Sequence, residues 1–366
     1  MSREVKLRSS VFPSRYLQGA GALSRLETEL AVLGVCPACL VDPAVEFIIA
    51  PAVARFDAPL RLSEGACTLS SIAATVAWGK DVGCDVLVAF GGGKVIDTGR
   101  AAADELGVPF VCVPTVAASD APCSALAVVY DEKGRVLEDR FMRRNPALVL
   151  VDTQILVRAP VRFFISGIGD ALATWYEADA CRRSGASNLC GGTGTALAHA
   201  AAQLCRDTLL AHAVQAVHDC RGQYVTADFE ETVEACVLLS GLGFESGGVA
   251  AAHAIHHGLA ELDETHGALH GEKVAIGVLA SLFLTLHGAP ERHALFTFCR
   301  DVGLPVTLAQ VGLNGSSDEQ LHAVARRACR AGEIMHNEPQ PVTAHAVVAA
   351  LRAMDRFGQQ TLASQP

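Results

Sequence analysis

Long apolar runs and clusters of positive charge are both missing from this sequence. No stretch of 18 or more apolar residues is free of charge, and the opening MSREVKLRSS leads into no apolar signal-peptide core. Lys and Arg number 29 against 39 Asp and Glu and gather in no patch, which argues against nucleic-acid binding. We therefore predict a cytoplasmic protein that binds neither membrane nor nucleic acid.

A disulfide framework is also missing, although the chain contains 13 cysteines. Their spacings follow no pattern, so we interpret them as small buried residues of a protein in a reducing compartment. Cys36 and Cys39 form a C-x-x-C motif. It continues into the apolar Leu40 and Val41 instead of opening a helix, where a reactive thiol is expected, and no second pair completes a zinc site.

The length and the distribution of apolar residues indicate two domains in the 366 residues. Residues 1–160 alternate short apolar runs with helical stretches, the pattern of an α/β domain. Residues 161–366 are Ala-rich with helical periodicity, which predicts an all-α domain. Strands are predicted at 38–41, 86–90, 110–113, 125–130 and 147–151, and helices at 21–33, 70–80 and 95–106.

The turn after the second of these strands, VLVAFGGGKVIDTGRAAADEL, carries the strongest cofactor signal. Its glycines let the backbone approach a pyrophosphate, and the free N–H groups of a helix starting near Lys94 favour negative charge. The usual fingerprints fail, because Ile96 replaces a required glycine of G-x-G-x-x-G, and Val88 and Val95 break a Walker A loop. A dinucleotide site is favoured, with a ligand-free turn as the alternative.

Three aspartates each admit two interpretations. Asp42 follows an early strand, where it can bind an adenosine ribose and disfavour a 2′-phosphate, or start a turn before Pro43. Asp120, in the small-residue segment VPTVAASDAPCSAL, is either a cap or an acceptor for substrate hydroxyls. Asp170, near the start of a predicted helix, is either an N-terminal cap or a metal ligand.

Five of the 13 histidines fall within 18 residues of the stretch GGVAAAHAIHHGLAELDETHGALHGEK. Positions three and four apart share a helix face, so His253, His256 and His257 should point the same way, and His266 and His270 should form a second pair. Neutral imidazole binds zinc and other first-row metals. This density favours a metal or proton-transfer site, although any single one could be an ordinary half-buried histidine.

Five segments, in the same order over nearly the whole chain, resemble the glycerol dehydrogenases: GGGKVIDTGRA, PTVAASDAPCSALAVVY, GIGDALATWYEA, GLGFESGGVAAAHAIHHG and HGEKVAIGVLA. These enzymes belong to a metal-dependent superfamily that includes the iron-type alcohol dehydrogenases and dehydroquinate synthase. The resemblance implies an N-terminal dinucleotide-binding α/β domain, an all-α C-terminal domain and an active site in the cleft between them. It also implies a homo-oligomer, often an octamer.

The resemblance further implies the reaction and its residues. Glycerol and related 1,2-diols would be oxidised by NAD, and glycerol would give dihydroxyacetone. One zinc ion per subunit would be held by Asp170, His253 and His270, a three-ligand catalytic set with open positions. Asp120 would hold the substrate hydroxyls, and Phe244 would wall the pocket. The NAD contacts would be Asp42, Gly91, Gly92, Gly93, Lys94, Asp97, Thr115, Ala118, Ser119, Ser124, Leu126 and Tyr130.

Two positions bear on the metal and the substrate. The iron-type enzymes carry a further histidine four residues after the metal-binding aspartate, where this chain has Thr174. One carboxylate with two imidazoles favours zinc, with nickel, cobalt or manganese as substitutes. Glycerol dehydrogenases commonly carry Asn where this chain, like the iron-type enzymes, has His257.

Two other functions stay open. One is a related dehydrogenase for another polyol, a hydroxyketone or glycerol 1-phosphate, and the other is a non-catalytic nucleotide- or metal-binding protein. An anionic substrate calls for several Lys or Arg, but the segments around Asp120 and Phe244 contain none, and Lys273 is the single base near the histidines. A non-catalytic scaffold is expected to lose one of the catalytic residues. Here the four expected ones are all present: Asp120, Asp170, His253 and His270.

Overall fold

The computed structural model describes residues 6–132, 134–285 and 288–364, and a parallel sheet forms the core of its first part. The strands are β1 Tyr16–Gly19, β2 Pro37–Val41, β3 Leu60–Leu62, β4 Val86–Gly91, β5 Phe110–Pro114, β6 Leu126–Tyr130, β7 Val136–Phe141 and β8 Leu148–Asp152. Six of them form a parallel sheet in the order β1-β8-β5-β4-β2-β3, and β6 and β7 form an antiparallel hairpin.

Two apolar layers enclose this sheet. Alternate residues of β4 enter different clusters, with Leu87 and Ala89 on one face and Val86, Val88 and Phe90 on the other. Continuous apolar strands of this kind belong to parallel sheets covered on both sides. The helices of this part are α1 Leu26–Leu30, α2 Glu46–Val53, α3 Leu69–Asp81, α4 Gly93–Leu106 and α5 Thr153–Leu156.

The strand order reverses direction between β2 and β4. From β2 the chain moves outward to the edge strand β3, and then returns to β4 on the other side of β2 before continuing to β5. In open α/β sheets, ligands bind at the carboxyl ends of the strands at such a reversal. The turn after β2 and the glycine turn after β4 both lie at this edge.

All further elements of the described chain are helical. The longer ones are α6 Val161–Ser184, α7 Ala196–Gly222, α8 Ala227–Glu234, a π-helical stretch Ala235–Leu239, α9 Ser240–Gly247, α10 Ala251–Ala260, α11 His270–Leu284, α12 Ala289–Val302, α13 Asp318–Ala328 and α14 Ala344–Ala363, and 3-10 turns lie at Asp263–Thr265, Leu308–Val311 and Ile334–Asn337. The α/β part followed by a helical part confirms the predicted fold class.

Several local predictions were wrong. β1, β3 and β7 were not predicted, and the helix expected at 21–33 is a 3-10 turn, Ala22–Arg25, followed by the short α1. His266 and His270 do not share a helix, because His266 follows the 3-10 turn Asp263–Thr265 and His270 opens α11. Asp170 is not near a helix start, since it lies in the middle of α6.

The N-terminal residues reach the helical part before the first strand begins. The Ser9 N–H donates to Thr193 O at 3.1 Å, and the Val11 N–H donates to Ser246 Oγ at 3.0 Å. The division at residues 160 and 161 stays a prediction. Within the described ranges no single helix is long and apolar enough to cross a membrane, while the pair Ala227–Gly247 and Ala251–Ala260, bent by 100°, passes on length and composition alone.

Candidate active site

The turns after β2 and β4 lie side by side at the carboxyl edge of the sheet. Val41 pairs with Phe90, and a Cβ added to Gly91 would lie 3.2 Å from the Cβ of Asp42. A Cβ added to Gly93, the first residue of α4, would have nothing within 4 Å. Because the first amides of a helix lack partners within it, this open helix end can receive an anionic group.

Asp42 starts the turn at Pro43, one of the two roles predicted for it. Its Oδ1 accepts the N–H of Ala44 at 2.9 Å and caps the 3-10 turn Pro43–Val45. Among the described residues no partner contacts Oδ2, so one carboxylate oxygen stays free for a ligand. Lys94, in the first turn of α4, is exposed at the same edge.

The remaining expected NAD contacts fall into two groups. Six lie after β5 and along β6: Thr115, Ala118, Ser119, Ser124, Leu126 and Tyr130. The Thr115 N–H donates to Gly91 O at 3.0 Å, which ties this segment to the glycine turn. Asp97 differs, because its buried carboxylate accepts from Arg100 at 2.9 Å and from the Val128 N–H at 3.1 Å. Burial raises the pKa of Asp97 to about 6.

Asp170, His253 and His270 come together from three different helices. The Asp170 Oδ1 lies 2.9 Å from His270 Nε2 and 3.4 Å from His253 Nε2. One ligand atom from each residue falls within 4.8 Å of the others. Asp170 is fully buried on α6, whereas the His270 side chain is 43% exposed at the start of α11. These three residues form a candidate metal centre, a group that could hold a metal ion, with its open side at His270.

Glycines allow the helices that carry these ligands to approach each other. A Cβ on Gly271 would overlap the carbonyl oxygen of Ser166, and a Cβ on Gly169 would overlap the carbonyl oxygen of Gly271. A Cβ on Gly167 would overlap the carbonyl oxygen of Ala117 in the loop after β5. The two glycines before Asp170 thus bring α6 against both α11 and the first part of the chain.

Asp120 comes from the α/β part but lies against the metal centre. Its backbone N–H donates to Asp170 Oδ2 at 3.2 Å, and its own Oδ2 accepts from the Ser240 hydroxyl at 3.1 Å. The Asp120 side chain forms no cap hydrogen bond to the 3-10 turn that follows it. Phe244, which is 7% exposed, lies one helical turn beyond Ser240 on α9. The cleft between the two parts therefore contains a second carboxylate beside the metal centre.

Comparison with known proteins identifies the family. A family model described as iron-containing alcohol dehydrogenase matches residues 13–153. A glycerol dehydrogenase of Thermotoga maritima is 47% identical over 358 residues, which cover 96% of this chain and 98% of the relative. The chain belongs to the glycerol dehydrogenase family. It is an oxidoreductase, and the resemblance to glycerol dehydrogenases is confirmed.

Two further proteins of the family show how far the similarity extends. A glycolaldehyde reductase of Halobacterium salinarum is 39% identical over 96% of this chain and 99% of its own. The crystal structure of glycerol dehydrogenase from Schizosaccharomyces pombe superimposes with a TM-score of 0.94 at 34% identity, over 98% of this chain and 93% of that one. Nearly the whole chain thus shares the fold of that glycerol dehydrogenase.

Glu177 supports the candidate metal centre from behind His253. Its Oε2 lies 2.6 Å from His253 Nδ1, and its Oε1 accepts the N–H groups of Ala250 and His253, both at 2.9 Å. A carboxylate on the distal nitrogen fixes the tautomer and orientation of a metal-binding imidazole. His253 Nε2 is thereby directed toward Asp170.

The charges of the centre stabilise one another. Burial alone would raise the pKa of Asp170, but the imidazoles of His270 and His253 outweigh it and hold this pKa below its usual range. Burial would lower the pKa of His253, but Glu177 and Asp170 together raise it. A bound cation would replace the positive charge of these protons, so metal binding is expected to compete with protonation.

The other histidines of the stretch lie outside the ligand set. The His256 ring centroid is 4.4 Å from that of His270, and burial is the main cause that lowers the pKa of His256. His257 Nδ1 lies 3.1 Å from Glu333 Oε2. His266 is 60% exposed beside Asp263.

The sequence analysis did not single out two residues that contact the candidate site, Glu177 beside His253 and Ser240 beside Asp120. Glu177 follows Asp170 by seven positions, which puts both on one face of α6, so helical spacing could have found it. Ser240 gave no such signal, because its contact with Asp120 joins residues 120 positions apart. Thr174, which stands at the iron-type histidine position, contacts Ser240 Oγ at 2.8 Å.

Proposed function

We propose that the enzyme oxidises the C2 hydroxyl of glycerol, and of related 1,2-diols, with NAD, giving dihydroxyacetone, NADH and a proton. The observation that carries this proposal is the position of Asp120, a hydroxyl acceptor held against a three-ligand metal centre. The Thermotoga maritima relative at 47% identity is a glycerol dehydrogenase, which supports the same substrate.

The donor set supports zinc as the metal. One carboxylate and two imidazoles, with an open side, are the ligands of catalytic zinc sites. Asp170, His253 and His270 would hold the ion, and Glu177 would orient His253. When bound, zinc would act as a Lewis acid that lowers the pKa of the alcohol oxygen.

Asp120 would bind and orient the diol. Burial and the neighbouring negative charge of Asp170 both raise the pKa of Asp120, which makes its carboxylate a better acceptor for a hydroxyl proton. Ser240 donates to Oδ2 and leaves Oδ1 for the substrate. Holding two adjacent hydroxyls would direct the C2 hydrogen toward the nicotinamide, with Phe244 as the apolar wall.

The glycine turn supports NAD as the hydride acceptor. The pyrophosphate would lie at the N-terminus of α4, and the adenosine ribose would lie beside Asp42, whose charge disfavours a 2′-phosphate. When bound, NAD would accept the hydride at its nicotinamide ring. The proposed contacts are those expected from the resemblance: Asp42, Gly91, Gly92, Gly93, Lys94, Asp97, Thr115, Ala118, Ser119, Ser124, Leu126 and Tyr130.

A second substrate class is a small hydroxyaldehyde, because the Halobacterium salinarum relative at 39% identity is a glycolaldehyde reductase. It fits the same neutral site, since the reverse reaction would reduce a carbonyl beside a hydroxyl. A phosphorylated substrate fits less well. Lys273, the base nearest the histidines in sequence, is buried on α11, and burial lowers its pKa.

The test uses zinc-loaded protein and NADH absorbance. With NAD added, NADH formation is followed on glycerol, 1,2-propanediol, ethanol and glycerol 1-phosphate. With NADH added, its consumption is followed on glycolaldehyde. We expect turnover of both diols that a chelator abolishes and added zinc restores. Turnover of glycolaldehyde alone would shift the proposal to the hydroxyaldehyde. If none of the five substrates were turned over while NAD still bound, the substrate assignment would be contradicted.

The assembly and location stay proposals. We propose a homo-oligomer, with an octamer as the form implied by the resemblance, and light scattering giving the mass of one subunit would contradict this. We also propose a cytoplasmic location. All 13 cysteines are unpaired, which supports a reducing compartment.

A further inference from the structure

Residues 333–338, between α13 and α14, lie along the helix that carries His253. We name this segment the clamp. Glu333 Oε2 lies 3.1 Å from His257 Nδ1, Asn337 Nδ2 donates to Val249 O at 2.7 Å, and Glu338 Oε1 accepts the Ala251 N–H at 3.2 Å. The clamp therefore contacts α10 near both of its ends.

The first turn of α10 has no cap of its own. Its N-cap position is Ala250, which has no side-chain acceptor, and the chain before it turns at Gly248 with a φ of +106°. The unpaired N–H groups of a helix start need outside acceptors. Here two distant carboxylates supply them, with Glu177 accepting from residues 250 and 253 and Glu338 accepting from residue 251.

Glu338 is as buried as Asp120, which is also 8% exposed. Its side chain is 8% exposed, and its Oε2 has no hydrogen-bond partner among the described residues. Glu338 and Glu177 line one small cavity with Arg183, Ser281 and Thr285, in which the space open to the centre of a water molecule is about 20 Å³. That volume accommodates about one water molecule.

Arg183 and Asp179, on α6, are the other charged groups that line this cavity. Burial raises the pKa of Glu338 to about 7, and the charge of Glu177 adds to this effect. A glutamine at this position keeps an oxygen that can accept from Ala251 and adds an NH₂ group like the O–H of the protonated acid. It is therefore a close replacement.

We propose that Glu338 is a positioning residue for the metal centre: it holds the first turn of α10 against Glu177 and so fixes the direction in which His253 presents Nε2. This inference rests on the proposed metal function. Glu338 touches neither ligand nor substrate, and it acts through the backbone of α10. Its removal should loosen the orientation of His253 and weaken metal binding while the fold remains.

The test measures zinc affinity of chelator-treated protein by calorimetric titration at pH 7.5, with circular dichroism as the check of folding. Glu338→Ala should weaken zinc binding by about 10-fold, the lower end of the range for outer groups that orient a ligand. Glu338→Gln should stay within about twofold of the wild type, because its oxygen keeps the acceptor role. Glu319→Ala, an exposed change on α13, is the control and should have no effect.

Folded Glu338→Ala protein that melts earlier but binds zinc as the wild type does would overturn the inference, because Glu338 would then serve stability alone. If that variant does not fold, Glu338→Asp withdraws the carboxylate by one methylene and should also weaken zinc binding. Unchanged affinity in Glu338→Asp would likewise overturn the inference. Wild-type protein that binds no zinc would instead overturn the metal proposal, and this inference with it.

Discussion

Asp120 and Asp170 are buried neighbours, joined by a hydrogen bond from the Asp120 backbone N–H to Asp170 Oδ2, yet their surroundings move their pKa values in opposite directions. The imidazoles of His270 and His253 overcome burial and lower the pKa of Asp170. Burial and the charge of Asp170 raise the pKa of Asp120. Two neighbouring acids whose pKa values are shifted in opposite directions suit two different roles. Here we propose that Asp170 is an ionised metal ligand and that Asp120 accepts a hydroxyl proton.

Replacing Asp120 by Asn tests the second role. Asp120→Asn should lower kcat/KM for glycerol by roughly 100-fold, the size expected when a hydrogen bond to a charged acceptor is lost. The dissociation constant of NAD should be nearly unchanged, because the nucleotide edge is built from other residues. Fluorescence titration with NADH checks the binding. If NAD affinity fell and kcat/KM followed it, Asp120 would belong to the cofactor site.

Replacing His270 by Ala tests the metal ligand. His270→Ala should leave the protein folded, since the side chain is partly exposed, but should abolish bound zinc. Turnover should fall by at least about 10³-fold, because several kcal/mol of Lewis-acid stabilisation are lost. His266→Ala, four positions earlier and 60% exposed, is the matched control with wild-type activity. Full activity of His270→Ala without zinc would remove the metal from the mechanism.

Close approach of α6 and α11 predicts a strict requirement for glycine at position 271. A methyl group there would overlap the carbonyl oxygen of Ser166, so the helices must separate. Gly271→Ala should destabilise the protein by about 1–3 kcal/mol, as overpacking does. It should also weaken zinc binding, because Asp170 and His270 lie on the two displaced helices.

Thermal unfolding with and without zinc measures both effects. Gly267→Ala, in the turn before α11, is the control, since a Cβ there would meet nothing within 4 Å. An unchanged melting temperature for Gly271→Ala would contradict the packing argument.

The elements that the sequence predicted well are those with strong periodicity. β4 and β5 are continuous apolar runs, and α3 and α4 were predicted to within about two residues. β3 has three residues and β7 is almost wholly exposed, so neither has an apolar pattern to detect. The i, i+4 spacing of His266 and His270 was misleading, because the chain turns between them at Gly267 and spacing alone cannot show where a helix starts.

The whole molecule assembles its site from residues far apart in the chain. Asp42 and the glycine turn come from neighbouring strands, Asp120 from the loop after β5, and the proposed metal ligands from α6, α10 and α11. The fold class could be predicted from local patterns along the chain, whereas the metal ligands stay a prediction from the resemblance to glycerol dehydrogenases. The contacts of Glu177, Ser240 and Glu338 could not be predicted, because they depend on how helices cross.

We propose that one metal ion lies between Asp170, His253 and His270 and faces the cleft. Anomalous scattering from crystals of zinc-loaded protein, recorded on both sides of the zinc absorption edge, tests it most directly. We expect one strong peak per subunit at about 2.0–2.2 Å from a carboxylate oxygen of Asp170 and from Nε2 of both histidines. A peak elsewhere, or none between these three residues in protein whose turnover is chelator-sensitive, would contradict this metal assignment.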